Sequence, residues 1–270
     1  MCVCAGMTRQ NYYKRRRRRL RASVDELLVL GLVRRERYRH PRIGCRKLVW
    51  MLRGELESAG VVIGRDRFFG LLSRHGLLIG RRRRVARTTN SWHGFRVYPN
   101  LAKDLVLTAP NQLVVSDITY IRTLEGFMFL SLVMDGFSRA IVGYDTSDSL
   151  EMEGALRALS AAQGQFPAWS RPMHHSDRGC QYCCGAYVAR LEGRGMAISM
   201  TEENHCYENA KAERLNGIMK QEYGLGLTFG TKSEVGPAVS QAVRLYNEMR
   251  PHGSLGNQTP MAVHRMVLVA

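Results

Sequence analysis

Three apolar stretches follow one another almost without interruption in the middle of the chain: QLVVSDITYIRT, FMFLSLVMDG and SRAIVGYDTS. Only LEG separates the first two and GF the next, with Gly126 and Gly136 placed to turn the chain. β-Branched and aromatic residues dominate all three, which reads as strand. Connections this short leave no room for a crossover helix, so the simplest arrangement is an antiparallel three-stranded meander.

Beyond the meander the period changes. LEMEGALRALSAAQ has helical spacing at Leu150, Ala155, Leu156 and Leu159, RPMHHSDRG is short and extended, and CCGAYVARLEGRG reads as a helix closed by Gly195. AISMT is a further strand and ENAKAERLNGIMKQEYG a long helix. Three strands, then helix, strand, helix, strand and helix make an α/β order with a mixed sheet flanked by helices.

The region before the meander differs in charge. Residues 1–100 hold 25 Lys and Arg against 6 Asp and Glu, a net of +19, whereas the remainder holds 15 against 17, a net of −2. A polycation joined to a nearly neutral half predicts a nucleic-acid-binding arm on a separate catalytic domain. Residues 1–22 end in YYKRRRRRLRA, whose like charges predict a disordered basic tail. SVDE then reads as a capping box, with Ser23 at the N-cap and Glu26 three residues on, opening a helix that Pro41 stops. IGCRKLVWMLRGELES is a second helix, with Leu48, Met51 and Leu52 on one face. GRDRFFGLLSRHG is a third, with Phe68, Leu71 and Leu72 apolar and Arg65, Arg67 and Arg74 elsewhere, stopped at Gly76. Residues 23–79 therefore read as a small helix-turn-helix-like DNA-binding region. Residues 80–103 are a basic linker in which Arg81, Arg82, Arg83 and Arg84 would track a DNA backbone.

Three acids stand out in the α/β half. Asp117 lies inside the first strand, where a carboxylate is costly unless something positive neutralises it. Asp177 sits where the fourth strand gives way to a turn. Glu213 shares a helical stripe with Asn209, Asn216 and Lys220, beside an apolar stripe of Leu215, Ile218 and Met219. Such a helix can pack on the sheet and still carry Glu213 toward the strand ends, so the three acids can meet. Oxygen ligands of this kind suit Mg²⁺ or Mn²⁺, and two such ions ~3.5–4 Å apart can activate the attacking oxygen and stabilise the leaving oxygen of a phosphodiester displacement.

HHSDRGCQYCC, residues 174–184, invites a zinc reading, with Cys180 and Cys183 as a CxxC and His205 and Cys206 to complete the set. The segment from Cys180 onward reads as helix and the second pair is one dipeptide, poor geometry for a tetrahedron. Packing cysteines and satisfied structural histidines at 174 and 175 fit better. Asp135 reads as a strand-end residue, and Glu208 falls off the face of Glu213.

Fifty-nine residues separate Asp117 from Asp177, 35 separate Asp177 from Glu213, and Lys220 follows Glu213 by seven. That spacing resembles the DDE transposases and retroviral-type integrases. SDITYI, MDGFSRAIVGY, HHSDRGCQY, YENAKAERLNGIMKQE and YNEMRPHGSLGNQTPMAVH are similar, more narrowly, to the second-frame (orf B) transposases of bacterial insertion sequences. The resemblance spans residues from about 40 to 265. It implies a ribonuclease H-like integrase core over residues 104–229 and a C-terminal helical extension over 230–270. It implies that Asp117 bridges two Mg²⁺ (or Mn²⁺) ions, that Asp177 and Glu213 each bind one, and that Lys220 contacts the DNA end. The activity implied is cleavage of insertion-sequence ends followed by strand transfer, by a homo-oligomer on DNA, with the upstream-frame product as a possible partner. Two other readings use the same residues: a structure-selective nuclease of this fold, and a catalytically silent DNA-binding regulator derived from a transposase.

No apolar run approaches the ~20 residues of a membrane span, and MCVCAGMTRQ lacks a signal-peptide core, which predicts a cytoplasmic, nucleoid-associated protein with no membrane partner. Seven cysteines without an export signal predict reduced thiols.

Overall fold

The computed structural model describes residues 7–80, 95–202 and 210–266. The chain divides into two compact units, Met1–Arg82 and Arg83–Ala270.

The first unit is helical: α1 (Arg9–Arg39), α2 (Cys45–Ser58) and α3 (Arg65–Arg74). Its core joins Val29, Leu30 and Val33 of α1 to Leu48 and Leu52 of α2 and to Phe68, Leu71 and Leu72 of α3. The predicted apolar faces of α2 and α3 are the buried ones, and Met51 lies at the edge of the core. The start of α1 is not as expected. The helix begins inside the basic tail, capped by Thr8, whose hydroxyl accepts from the Asn11 N–H at 3.2 Å, and it runs through Ser23 without a break. Arg, Leu and Ala are strong helix formers, and no Gly or Pro interrupts residues 9–30, so the Ser23 motif has no helix start left to cap. At its other end α1 stops at Arg39, before Pro41. Leu77 N–H bonds back to the Leu72 carbonyl while Gly76 turns at φ +63°, the glycine stop predicted for α3.

The second unit is built on a five-stranded sheet, in the order β3-β2-β1-β4-β5. β1 (Leu113–Thr123), β2 (Gly126–Asp135) and β3 (Ile141–Ser147) form the antiparallel meander, while β4 (Met173–Ser176) and β5 (Ile198–Met200) add to it in parallel. One face is covered by α7 (Ala210–Glu222) and α8 (Val235–Met249), through Leu215, Ile218, Met219, Val239 and Tyr246. The other carries α4 (Met152–Gln165), α5 (Cys180–Cys183) and α6 (Gly185–Glu192). α9 (Pro260–Met266) ends the described chain. Gly143 sets the closeness of α4, because a Cβ there would strike the Ala158 carbonyl oxygen.

Two local expectations differ. α4 starts at Met152, leaving Leu150 exposed outside the helix. The segment after Cys180 is two helices, because Cys184 adopts an extended conformation at ψ 147° between them.

Candidate active site

β1 is the middle strand, and β4 pairs with only its first part, the last partners being Val115 and His175. Asp117 lies two residues past Val115 within β1, and Asp177 two past His175, the first residue beyond β4. Neighbouring strands run about 4.8 Å apart, so Asp117, in the middle of β1, stands beside the carboxyl end of β4, where Asp177 follows. Both line a cavity of about 610 Å³.

The Asp117 carboxylate is held on both oxygens. Oδ1 accepts from the Ile118 N–H at 2.9 Å and Oδ2 from the Asn216 amide of α7 at 2.7 Å. Burial, then the charge of Asp177, push this carboxyl up to about 7; the two hydrogen bonds oppose the shift and Glu213 adds to it. Asp177 accepts from the Gly179 N–H at 3.0 Å, which fixes the turn into α5. Glu213 stands exposed on the first turn of α7, one helical turn before Asn216, and its field reaches Asp117. It does not line the cavity, and among the described residues no three His, Cys, Asp or Glu side chains are gathered closely enough to hold a metal ion. The structure thus brings the two aspartates together and sets Glu213 beside them on the stripe that the helix period predicts.

The donor set still suits a hard divalent cation. Two carboxylates share one cavity, both donors to Asp117 are neutral amides, and a bound cation would offset the burial and the repulsion that raise Asp117.

Lys220, two turns along α7 from Glu213, is half-buried. Its ammonium lies 4.1 Å from the centre of the Tyr120 ring, and burial lowers its pKa while Asp117 holds the charge in place. Of the arginines expected to meet DNA, Arg65, Arg67 and Arg74 are exposed on α3. Each already has a carboxylate: Arg65 pairs with Asp66 at 2.9 Å, and Arg67 and Arg74 reach Glu26 of α1 at 3.7 and 3.1 Å. Arg81, Arg82, Arg83 and Arg84 lie outside the described residues, as do His205, Cys206, Glu208 and Asn209.

Cys180 is exposed at the cavity and Cys183 is buried against Met200. Burial and Asp177 push the Cys183 thiol up to about 11, away from the thiolate that zinc needs. His174 Nε2 meets the Ser116 and Tyr187 hydroxyls at 2.9 Å each, and His175 Nδ1 meets Ser199 at 2.9 Å, so both histidines are structural. Asp135 ends β2 and accepts from the Asn111, Phe137 and Ser138 backbone N–H groups, which ties down the turn into β3. The aromatic lining of the cavity, Tyr120, Phe127 and Phe129, is not among the residues singled out from sequence. The alternation along β1 and β2, which puts these residues on one face, was the available signal.

The integrase core domain family matches twice, over residues 108–206 and 194–260. The chain is 33% identical over 267 residues to the insertion element IS600 uncharacterized 31 kDa protein of Shigella sonnei, covering 97% of this chain and 96% of that one. It is 32% identical over 248 residues to the transposase for insertion sequence element IS629 of Shigella sonnei, covering 90% and 81%. A chain of the cryoEM structure of the simian T-cell lymphotropic virus intasome, in complex with PP2A regulatory subunit B56 gamma, superposes with a TM-score of 0.50. It is 17% identical, covering 82% of this chain and 70% of that one, and speaks for the fold alone. The fold shared is the ribonuclease H-like mixed sheet of the integrase catalytic core. Among the described residues no helix is long and apolar enough to cross a membrane.

Proposed function

The chain belongs to the transposases of bacterial insertion sequences, a family that acts on DNA by polynucleotidyl transfer, and on that premise we propose that Asp117, Asp177 and Glu213 form its reaction centre. The observation that carries this reading is that Asp117 and Asp177 line one cavity, with the α7 stripe of Glu213, Asn216 and Lys220 alongside.

Asp117 and Asp177, completed by Glu213, would hold Mg²⁺ or Mn²⁺, two ions in this reading. Bound there, the metal supplies Lewis-acid stabilisation of phosphodiester displacement. The chain's own residues orient the reactants. Asn216 fixes the Asp117 carboxylate through Oδ2 and leaves its remaining lone pairs to face the cavity. Lys220, two turns along from Glu213, offers positive charge to the phosphate of the DNA end.

The first reaction is hydrolysis. Water attacks the phosphorus at the element's end, the bond to the 3′ oxygen breaks, and that oxygen leaves as a 3′-hydroxyl while the phosphate stays on the 5′ side. In the second, the freed 3′-hydroxyl attacks a target phosphodiester, loses its proton, and displaces a target 3′-hydroxyl. No covalent protein intermediate is required. Two ends must be brought together, which calls for a homo-oligomer on DNA, with the upstream-frame product as a further partner. Exposed Arg65, Arg67 and Arg74, the arginines at 81–84 and the run Arg15–Arg19 supply the charge that retains DNA.

Strand transfer in a defined assay tests the reading. Asp117→Asn, Asp177→Asn and Glu213→Gln should each abolish it while DNA binding persists, and intact transfer in all three would overturn the assignment. Anomalous diffraction from crystals soaked in Mn²⁺ should place metal between the acids.

A further inference from the structure

The cavity that contains Asp117 and Asp177 extends beyond them, along the outer half of the β1–β2 hairpin. Cross-strand pairs Tyr120↔Phe129 and Arg122↔Phe127 put three aromatic rings and a guanidinium on one face there. The Tyr120 and Phe127 rings meet edge-on, with centroids 5.5 Å apart at 84°. The Arg122 guanidinium lies 5.5 Å from the centre of the Phe127 ring, and Lys220 lies 4.1 Å from that of Tyr120. Phe127 is 46% exposed, too open for a core residue.

An aromatic wall flanked by two cations, opening into two carboxylates, is an unusual neighbourhood for an apolar peptide. It fits a flat heteroaromatic ring attached to a phosphate, since such a ring stacks on aromatic faces and its phosphate meets the cations. A volume of about 610 Å³ accommodates a nucleobase with part of its sugar. We infer that the Tyr120, Phe127 and Phe129 pocket takes a nucleobase drawn out of the DNA stack, next to the phosphate that reacts at Asp117 and Asp177. This rests on the proposed reaction centre and adds to it a device for holding the DNA end open. Withdrawal of a terminal base bares the neighbouring phosphate to the acids, and stacking on protein offsets the lost base stacking.

The test uses the full chain and duplexes that end in the terminal sequence of the element carrying this gene. One duplex is fully paired, one has its last three pairs mismatched so that the bases are already unstacked, and one carries abasic nucleotides at those positions. The mismatched end should bind roughly 5- to 100-fold more tightly than the abasic one, the range that stacking a base on an aromatic ring supplies. Phe127→Leu, which keeps the apolar volume, should remove most of that difference, while Phe127→Tyr should keep it. Equal affinity for mismatched and abasic ends overturns the inference without recourse to any variant, and so does a full preference in Phe127→Leu. Cleavage of the paired end, measured on the same preparations with Asp117→Asn as control, separates the two readings. Asp117-dependent cleavage without a base preference sinks only the pocket, whereas cleavage that survives Asp117→Asn sinks the reaction centre.

Discussion

Asn216 of α7 donates its side-chain N–H to Asp117 Oδ2 of β1 across 2.7 Å, joining residues 99 apart in the chain. This bond ties the helix that carries Glu213 to the strand that carries Asp117. It also supplies a donor without adding charge to a cavity already crowded with carboxylates. Asn216→Ala should therefore lower strand transfer roughly 10- to 100-fold, the usual cost of losing a group that orients a ligand, while stability changes by about 1 kcal/mol. Asn216→Asp should be worse than Asn216→Ala, because it sets a further carboxylate against Asp117. Transfer rates and melting temperatures on the same preparations check both; an unchanged rate in Asn216→Ala would remove Asn216 from the site.

The far end of α7 is anchored by Arg250, whose side chain is 1% exposed and which donates to both oxygens of Glu222, at 2.8 and 2.9 Å. The two partners are not equally buried, and the cost of removing each should differ. Glu222→Ala leaves a guanidinium in the protein without its counter-ion, and should destabilise the chain by about 3–5 kcal/mol. Arg250→Met leaves a carboxylate that can still reach water, so its cost should be smaller. Urea midpoints for the two variants check that order, and the reverse order would mean that Glu222, not Arg250, bears the burial.

How much of the fold and the site was legible in the sequence depended on distance along the chain. The meander was readable because two short connections make antiparallel pairing the simplest arrangement, and the α7 stripe because Glu213, Asn216 and Lys220 recur at helical spacing. That Asp117 and Asp177 share one cavity was not readable, since it depends on β4 pairing with the first part of β1. Arg250 and Glu222 carry no local signature at all, because nothing in either neighbourhood announces a partner 28 residues away. The start of α1 misled for a different reason. Ser23 and Glu26 form a valid capping motif, yet a cap opens a helix only where the preceding residues do not already continue one.

His174 is buried on Ser116 and Tyr187, and burial, with His175 adding, lowers its pKa to about 3 from an ordinary value near 6.5. A lowered folded-state value means that the unfolded chain binds the proton first. The stabilisation is therefore complete above about pH 6.5 and is lost as pH falls toward 3. Between pH 7 and pH 5 this group alone should reduce stability by about 2 kcal/mol. His174→Gln should be less stable at pH 7 through its altered hydrogen bonds, but should lose less on acidification. Urea unfolding at pH 7, 6 and 5 checks the slope, and identical slopes for the two chains would show that His174 does not titrate in this way.

Glu26 lies between two arginines of α3, 3.7 Å from Arg67 and 3.1 Å from Arg74. All three side chains are substantially exposed, so these pairs contribute at most about 1 kcal/mol to folding. Their larger effect should be on DNA, because a carboxylate between two cations repels the phosphates that those cations would attract. Glu26→Gln should leave stability within about 1 kcal/mol of the parent and raise affinity for a mixed-sequence duplex. It should also steepen the fall of log affinity with log salt by up to about two units, about 0.9 for each arginine newly engaged with phosphate. Arg67→Ala and Arg74→Ala should each make that slope shallower by about one unit if the arginines already contact DNA in the parent. Affinities from 50 to 300 mM salt separate the cases. A steeper slope in Glu26→Gln with no change in the arginine variants would mean that Glu26 holds α3 away from DNA; no change in any of the three would place the DNA elsewhere, with Arg15–Arg19 of α1 as the next cations to test.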